Sequence, residues 1–294
     1  TEYSLLDGSN KIKEYVKRVK ELGMNSAAIT DHGNMFGIKE LTDYVNKKNK
    51  DVDGEIKNLK KTIEELKSAD AVDQEALSKA ETALKEAESK IFTPIIGCEM
   101  YVADNDMTDR SNKKDIGRHL IVLAKNQHGY HNLIKLVSNA WTDGYYYHPR
   151  TDKKQLEKYH EDLIVCSACL GGEVPKLITA GHIEEAEKSI LWFKKVFGED
   201  YYLELQRHKA TVARANQEAY PLQQEVNKVL IEMSKKHNIK LVCTNDVHFV
   251  NEEDAEAHDR LICVSTGTFL DDDKRMLYTK QEWMKTQEAV SYTH

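Results

Sequence analysis

The chain has no apolar run near the ~20 residues that a membrane helix needs, so no helical membrane span is expected. Its first residues, TEYSLLDGSN, lack a basic n-region and an apolar h-region, and no secretory signal is visible. Cysteine is sparse: Cys98, Cys166, Cys169, Cys243 and Cys263 are scattered and odd in number. A disulfide scaffold is therefore not expected, and a reducing cytoplasm is the expected location. Positive charge is not in excess, since 42 Lys and Arg against 49 Asp and Glu give a formal charge of −7. That balance argues against a chain built mainly to coat nucleic acid, while leaving room for a local basic groove. No G-x-x-x-x-G-K-[ST] phosphate loop and no G-x-S-x-G elbow occurs. An initiator methionine is also absent, and Thr1 stands in what reads as a functional loop.

What is present is a chain of 294 residues, enough for one large domain or two ordinary ones. Helical spacing of apolar residues marks 10–22, 36–47, 129–139, 182–197, 222–237 and 252–264. Between them lie short apolar runs: SAAIT at 26–30, IIGCEMYV within 94–102, LIVLA at 120–124, LIVCSA at 163–168, YYLEL at 201–205 and LVCTN at 241–245. These six runs mostly do not alternate in polarity, so strands covered on both faces are expected. Strand–helix alternation of that kind points to an α/β architecture with a mainly parallel sheet. A closed barrel and a doubly wound sheet both fit.

Residues 48–91 break the rhythm. They are rich in Lys, Glu, Ala and Leu, with one stripe at Leu59, Ile63 and Leu66 and another at Leu77, Ala80, Leu84 and Ala87. The pattern predicts an inserted antiparallel two-helix hairpin with its turn in SADAVDQE. A solvated spacer is the plainer role for it, and a protein- or DNA-docking arm the sharper one.

Polar residues collect at the ends of the apolar runs. SAAIT leads into Asp31-His32-Gly33, IIGC into Glu99, LIVCSA into Cys169 and Gly171-Gly172, and LVCTN into Asp246-Val247-His248. In barrels and open α/β sheets, the carboxyl ends of strands form the active face. Imidazole, thiolate and carboxylate together suit zinc, with manganese or iron also open. Taken singly, each residue has a structural reading: a hydrogen-bonded His, a buried Cys, or Asp31 capping the turn at Gly33. Cys166 belongs to the strand run and is not read as half of a Cys-x-x-Cys site. Three weaker candidates remain. The stretch Tyr145-Tyr146-Tyr147-His148-Pro149-Arg150 interleaves aromatics with a base and could clamp a single strand or simply pack on the domain. Arg207 and His208 follow YYLEL and could face phosphate. Lys113, Lys114 and Arg118 form a small basic stretch that reads as surface.

TEYSLLDG, ITDHGNMFG, PIIGCEMYV, HLIVLAKN, IVCSACLGGEVP, YYLELQ and TNDVHF, in this order, closely resemble the N-terminal PHP (polymerase and histidinol phosphatase) domain of bacterial replicative DNA polymerase III alpha subunits. The resemblance covers nearly all of the chain outside the hairpin. It implies a distorted seven-stranded β/α (TIM-like) barrel with a three-metal site. It further implies Asp7, His32 and His248 on one metal, Glu99, His119 and Cys169 on a second, and Asp246 with a bridging Glu99 on the third. His119 begins its apolar run instead of ending it, so it is assigned by resemblance alone. The family also places a first strand with a His-x-His pair just before Thr1. With that strand missing here, six strands and an internal piece of a longer chain are expected.

The implied activity is metal-dependent phosphodiester hydrolysis as a 3′→5′ proofreading exonuclease, with Asp7, His32, Glu99, Asp246 and His248 at its centre. The implied metals are zinc or manganese, up to three, and magnesium for a polymerase site outside the chain. The implied partners are primer–template DNA and other replisome subunits. The domain is expected over 1–270, with 271–294 linking toward a polymerase palm. Two other readings stand beside it: a silent scaffold that stabilises the polymerase and docks a proofreading subunit, and a stand-alone PHP phosphatase.

Overall fold

A computed structural model of the chain describes residues 1–69, 73–210 and 213–293. The sheet is organised around β2 (Thr93–Val102), whose last six residues are all buried. One edge of β2 pairs antiparallel with β3 (Arg118–Ala124). The other edge is shared. Its first half pairs in parallel with β1 (Ser26–Ile29), and Tyr101 and Val102 pair with β5 (His148–Thr151). The short strand β4 (Tyr145–Tyr146) closes a hairpin onto β5. Beyond β3 follow β6 (Leu163–Cys166), β7 (Tyr201–Leu205) and β8 (Lys240–Cys243). The result is a curled, distorted α/β barrel. The six apolar runs are β1, β2, β3, β6, β7 and β8, and among the described residues no pairing joins β1 to β8.

Two expectations need correction. The sheet is mixed, because β3 runs antiparallel to both β2 and β6. A parallel neighbour requires a crossover, usually helical. Residues 103–117, between β2 and β3, contain no helix, so the chain returns beside the strand it left. The sheet also has eight strands among the described residues where six were expected: the added β4 and β5 form a hairpin, and strands of two and four residues carry too little periodicity to read.

Helices cover the sheet: α1 (Ile12–Glu21), α4 (Gln127–Thr142), α5 (Lys153–Lys158), α6 (Glu173–Thr179), α7 (Ile183–Phe197) and α8 (Ala213–His237), while α9 (Ala255–Thr266) meets the Asp7 loop through His258. Helix α8 starts well before residue 222 and carries Pro221 inside it. Proline favours helix starts, which is why the sequence places the boundary too late. Helix α4 is capped by Asn126, whose side chain accepts from the Gly129 amide at 3.0 Å. One core joins Leu120, Val122, Leu133, Leu163, Val165, Ile190, Phe193 and Leu203 between sheet and helices. A second joins Ile12, Val16 and Val19 of α1 to Ile29, Leu41 and Phe92. Each such side chain, fully buried, contributes roughly 1.5–3 kcal/mol.

The inserted hairpin is present, but it does not begin as a separate helix. Helix α2 runs unbroken from Ile38–Ser68, and α3 (Gln74–Lys90) packs back against it. Residues 70–72 of the expected turn lie outside the described residues. Ile63 and Ala87 of the two stripes are buried, while the flanks carry Lys60–Glu88 and Lys67–Glu81 pairs at 3.2 and 2.9 Å. At its base, Asn49 pairs with both main-chain groups of Phe92, at 2.9 and 3.1 Å.

Candidate metal centre

The N-terminal loop reaches the barrel mouth because buried Asp31 anchors it. The Asp31 carboxylate accepts from the Thr1 hydroxyl at 2.8 Å and the Ser4 hydroxyl at 2.8 Å. Ser4 Oγ in turn accepts from the His32 amide at 3.1 Å. Asp31 therefore has a larger task than capping a turn: it fixes the loop that delivers Asp7. His32 continues past β1 and bridges to Glu99 on β2. Gly33 then turns in the left-handed region (φ 62°), and a Cβ there would lie 2.6 Å from Pro149 Cγ.

The reversed direction of β3 explains His119. An antiparallel strand starts where its parallel neighbours end, so the first residues of β3 lie beside the carboxyl ends of β2 and β6. Across this face, Gly171 makes room for the His119 ring, since a Cβ there would come 2.6 Å from His119 Nδ1. Ala168 and Asp246, neither of them glycine, adopt positive φ (64° and 47°) beside Cys169 and His248. Such strain persists where surrounding structure enforces it and is frequent at functional sites.

The distances define two groups. His32 Nε2 lies 2.6 Å from Asp7 Oδ2, and His248 Nε2 lies 3.8 Å from the same oxygen. Donor atoms of these three residues all fall within 4.8 Å of one another. Glu99 Oε1 stands 2.7 Å from His119 Nδ1 and 3.1 Å from His32 Nδ1, so it lies between the groups. Cys169 Sγ is 3.5 Å from His119 Nδ1. Asp246 Oδ1 approaches His248 Nδ1 at 3.8 Å. A cavity between β1 and β8 is lined by His32, Glu99, Cys169, Asp246 and His248, together with Glu204.

Electrostatically the groups are interdependent. Burial pushes the Asp7 carboxyl up, but hydrogen bonds from His248 and His32 outweigh it and hold it far below the usual range. Burial opposes the charged form of His32, yet Glu99 and Asp7 raise it well above a free imidazole. His248 is likewise raised to about 9, with Asp246 and Asp7 overcoming burial. Burial, then the charges of Asp246 and Glu99, push the Cys169 thiol up. Burial also raises Glu204 to about 7 against a hydrogen bond from Thr244.

These residues fit a metal. Glu99 Oε1 is buried and stands within 3.1 Å of two imidazole nitrogens, His119 Nδ1 at 2.7 Å and His32 Nδ1 at 3.1 Å. Donor atoms of several side chains converging on one buried carboxylate oxygen are an arrangement that a shared cation satisfies. The donors are imidazole, carboxylate and thiol, a set that zinc accepts and that manganese or iron shares in part.

Other predicted residues are placed elsewhere. Arg150 is fully buried, with its guanidinium donating to the carbonyls of Asp115, Met107 and Asp109 at 2.9, 2.9 and 2.7 Å. It organises the 103–117 loop and offers nothing to a nucleic acid. His208 is also buried, held by Gln223 and by the Asn245 carbonyl. An imidazole with both ring nitrogens engaged inside the fold cannot reach phosphate. Arg207 leans on α8, donating to Tyr220 Oη at 3.0 Å. Of the aromatic stretch, Tyr145 and Tyr147 are exposed and Tyr146 lies under Arg150. One residue had no signal in the sequence: Tyr278, whose hydroxyl lies 2.8 Å from Asp7 Oδ1.

A mixed, curled sheet that gathers carboxylates, imidazoles and a thiol at its strand ends is an α/β barrel with a candidate metal centre. The PHP domain family matches residues 1–208, and the chain belongs to that family. It is 39% identical over 99% of its length to DNA polymerase III subunit alpha of Borreliella burgdorferi. The corresponding identities are 36% for the Campylobacter jejuni subunit, again over 99% of the chain, and 33% over 99% for that of Thermus aquaticus. The chain spans only about a fifth of these relatives, 21%, 21% and 20% of their lengths.

Proposed function

We propose that this chain is the PHP portion of a DNA polymerase III alpha subunit and acts as a metal-dependent phosphoesterase, removing nucleotides from a 3′ end. The observation that carries this reading is the convergence of Asp7, His32 and His248 within 4.8 Å, with Glu99 between them and His119. Asp7, His32 and His248 would hold one divalent ion, zinc or manganese. Glu99, His119 and Cys169 would hold a second, and Asp246 would contribute to a third. When bound, such ions lower the pKa of a coordinated water and offset charge developing on a phosphate. His32 and His248, raised in the metal-free protein, would give up their protons to bind an ion, and imidazoles that ligate without adding negative charge leave the loaded site more favourable to a phosphodiester than carboxylates would. Asp31 holds the Asp7 loop in place for this, and Gly171 admits the His119 ring.

In this reading, residues 1–270 form the PHP domain and 271–294 lead toward a palm that works with magnesium. The whole subunit acts in the cytoplasm on primer–template DNA with other replisome subunits. A strand carrying His-x-His, pairing in the gap between β1 and β8, would complete the third metal. The test adds that strand and measures 3′→5′ degradation of a labelled primer with zinc or manganese. Loss of nucleotides that disappears in His32→Ala supports hydrolysis. Full metal loading without degradation would favour a scaffold role, in which bound metal serves folding.

A further inference from the structure

Residues 275–286 form a strap across the centre. Arg275 grips Asp259 of α9 with two bonds of 2.6 and 2.9 Å. Asn245 donates to the carbonyls of Gln281 and Trp283 at 2.9 and 2.7 Å. The His248 amide donates to the Glu282 carbonyl at 2.8 Å, and the Met284 amide to that of Val250 at 3.2 Å. The strap is thus hydrogen-bonded to the loop that carries Asp246 and His248. It places one side chain in the centre, Tyr278, packed against the rings of His248 and His258 at 4.8 and 5.0 Å.

The Tyr278 hydroxyl meets Asp7 Oδ1 at 2.8 Å and His248 Nε2 at 3.3 Å. Asp7 Oδ2 is the oxygen that faces His32 and His248. His258 Nε2, on the same side, bonds the Asp7 carbonyl at 2.8 Å. Hydrogen-bond partners behind a metal ligand fix its orientation, and losing one commonly costs 10–100-fold in metal affinity. We infer that Tyr278 is a positioning residue: it ties up Asp7 Oδ1 so that Asp7 offers a single oxygen, Oδ2, to the ion, and it thereby links metal affinity to the seating of the strap. This rests on the metal reading of Asp7, His32 and His248. By linkage, an ion bound there must hold the strap down as strongly as the strap favours the ion.

The test is Tyr278→Phe in the full chain, which keeps the ring and removes the hydroxyl. Zinc and manganese affinities are read by competition with a chromogenic chelator, and folding by melting in the presence of EDTA. The expected result is a drop of roughly 10–100-fold in affinity at this site, with the metal-free melting temperature unchanged. Hydrogen exchange supplies a readout on the unaltered chain: metal should slow exchange at the amides of His248, Phe249 and Met284, and this slowing should vanish in the variant. Wild-type affinity in Tyr278→Phe, or exchange in the wild-type chain that metal does not alter, would overturn the inference while leaving the metal site standing. Metal binding in Asp7→Ala equal to that of the wild type would overturn the site and the inference together.

Discussion

Single side chains in this centre do separable jobs. Asp7, His32 and His248 present donors, and Asp31 and Gly171 shape the space around them. Asp7→Ala and His32→Ala should each abolish binding of the ion they share, read by elemental analysis after dialysis. Gly171→Ala should instead displace the His119 ring, since its Cβ would stand 2.6 Å from Nδ1. We expect about 1–3 kcal/mol lost from chain stability and weaker metal binding at the Glu99, His119 and Cys169 group. Denaturant titration and metal analysis check the two effects.

Glu204 gives a pH prediction. Its folded pKa of about 7 lies above its ordinary 4.5. A raised carboxyl contributes stability below pH 4.5 that is lost as pH rises through 7, because the unfolded chain ionises first. The loss is on the order of 3 kcal/mol. Glu204→Gln removes the titration, so the metal-free variant should gain stability on the wild type between pH 4 and pH 8. Parallel melting curves at pH 4 and 8 would contradict the burial argument.

Among the elements, the strand ends were the legible part. Six apolar runs are six strands, and the residues after four of them converge. His119 was not legible in this way, because periodicity does not reveal strand direction and the helix-free stretch 103–117 is what reverses β3. Arg150 misled for a related reason. A base among aromatics looks like a nucleic-acid contact until the fold wraps three carbonyls around it. Arg150→Met should therefore leave phosphate and DNA affinity unchanged while costing about 3 kcal/mol or more, since several buried acceptors lose their donor. Tyr278 sits in a stretch that read as a linker, with no motif to mark it. The hairpin pattern was readable, but its fusion with α2 was not, because the largely polar run at 47–54, ending in Gly54, interrupts the apolar stripe while the helix continues through it.

For the whole molecule, two cores hold the sheet and the hairpin projects from them, anchored by Asn49 and Phe92. Replacing residues 53–86 by a short turn should leave the barrel's melting temperature within a few degrees and metal binding unchanged, measured by calorimetry. A large loss of either would make the hairpin part of the domain rather than a spacer on it. The chain covers about a fifth of its polymerase relatives, 21% of the one from Borreliella burgdorferi. The candidate centre lies at the barrel mouth, where the loop of residues 1–10, several strand ends and the strap of residues 275–286 meet.

We propose that this mouth is a metal centre. Crystals grown with zinc and measured on both sides of its absorption edge test it directly. An anomalous peak is expected within bonding distance of Asp7 Oδ2, His32 Nε2 and His248 Nε2. Zinc found only at surface residues, with His32 still bonded to Asp7 and the centre empty, would contradict it.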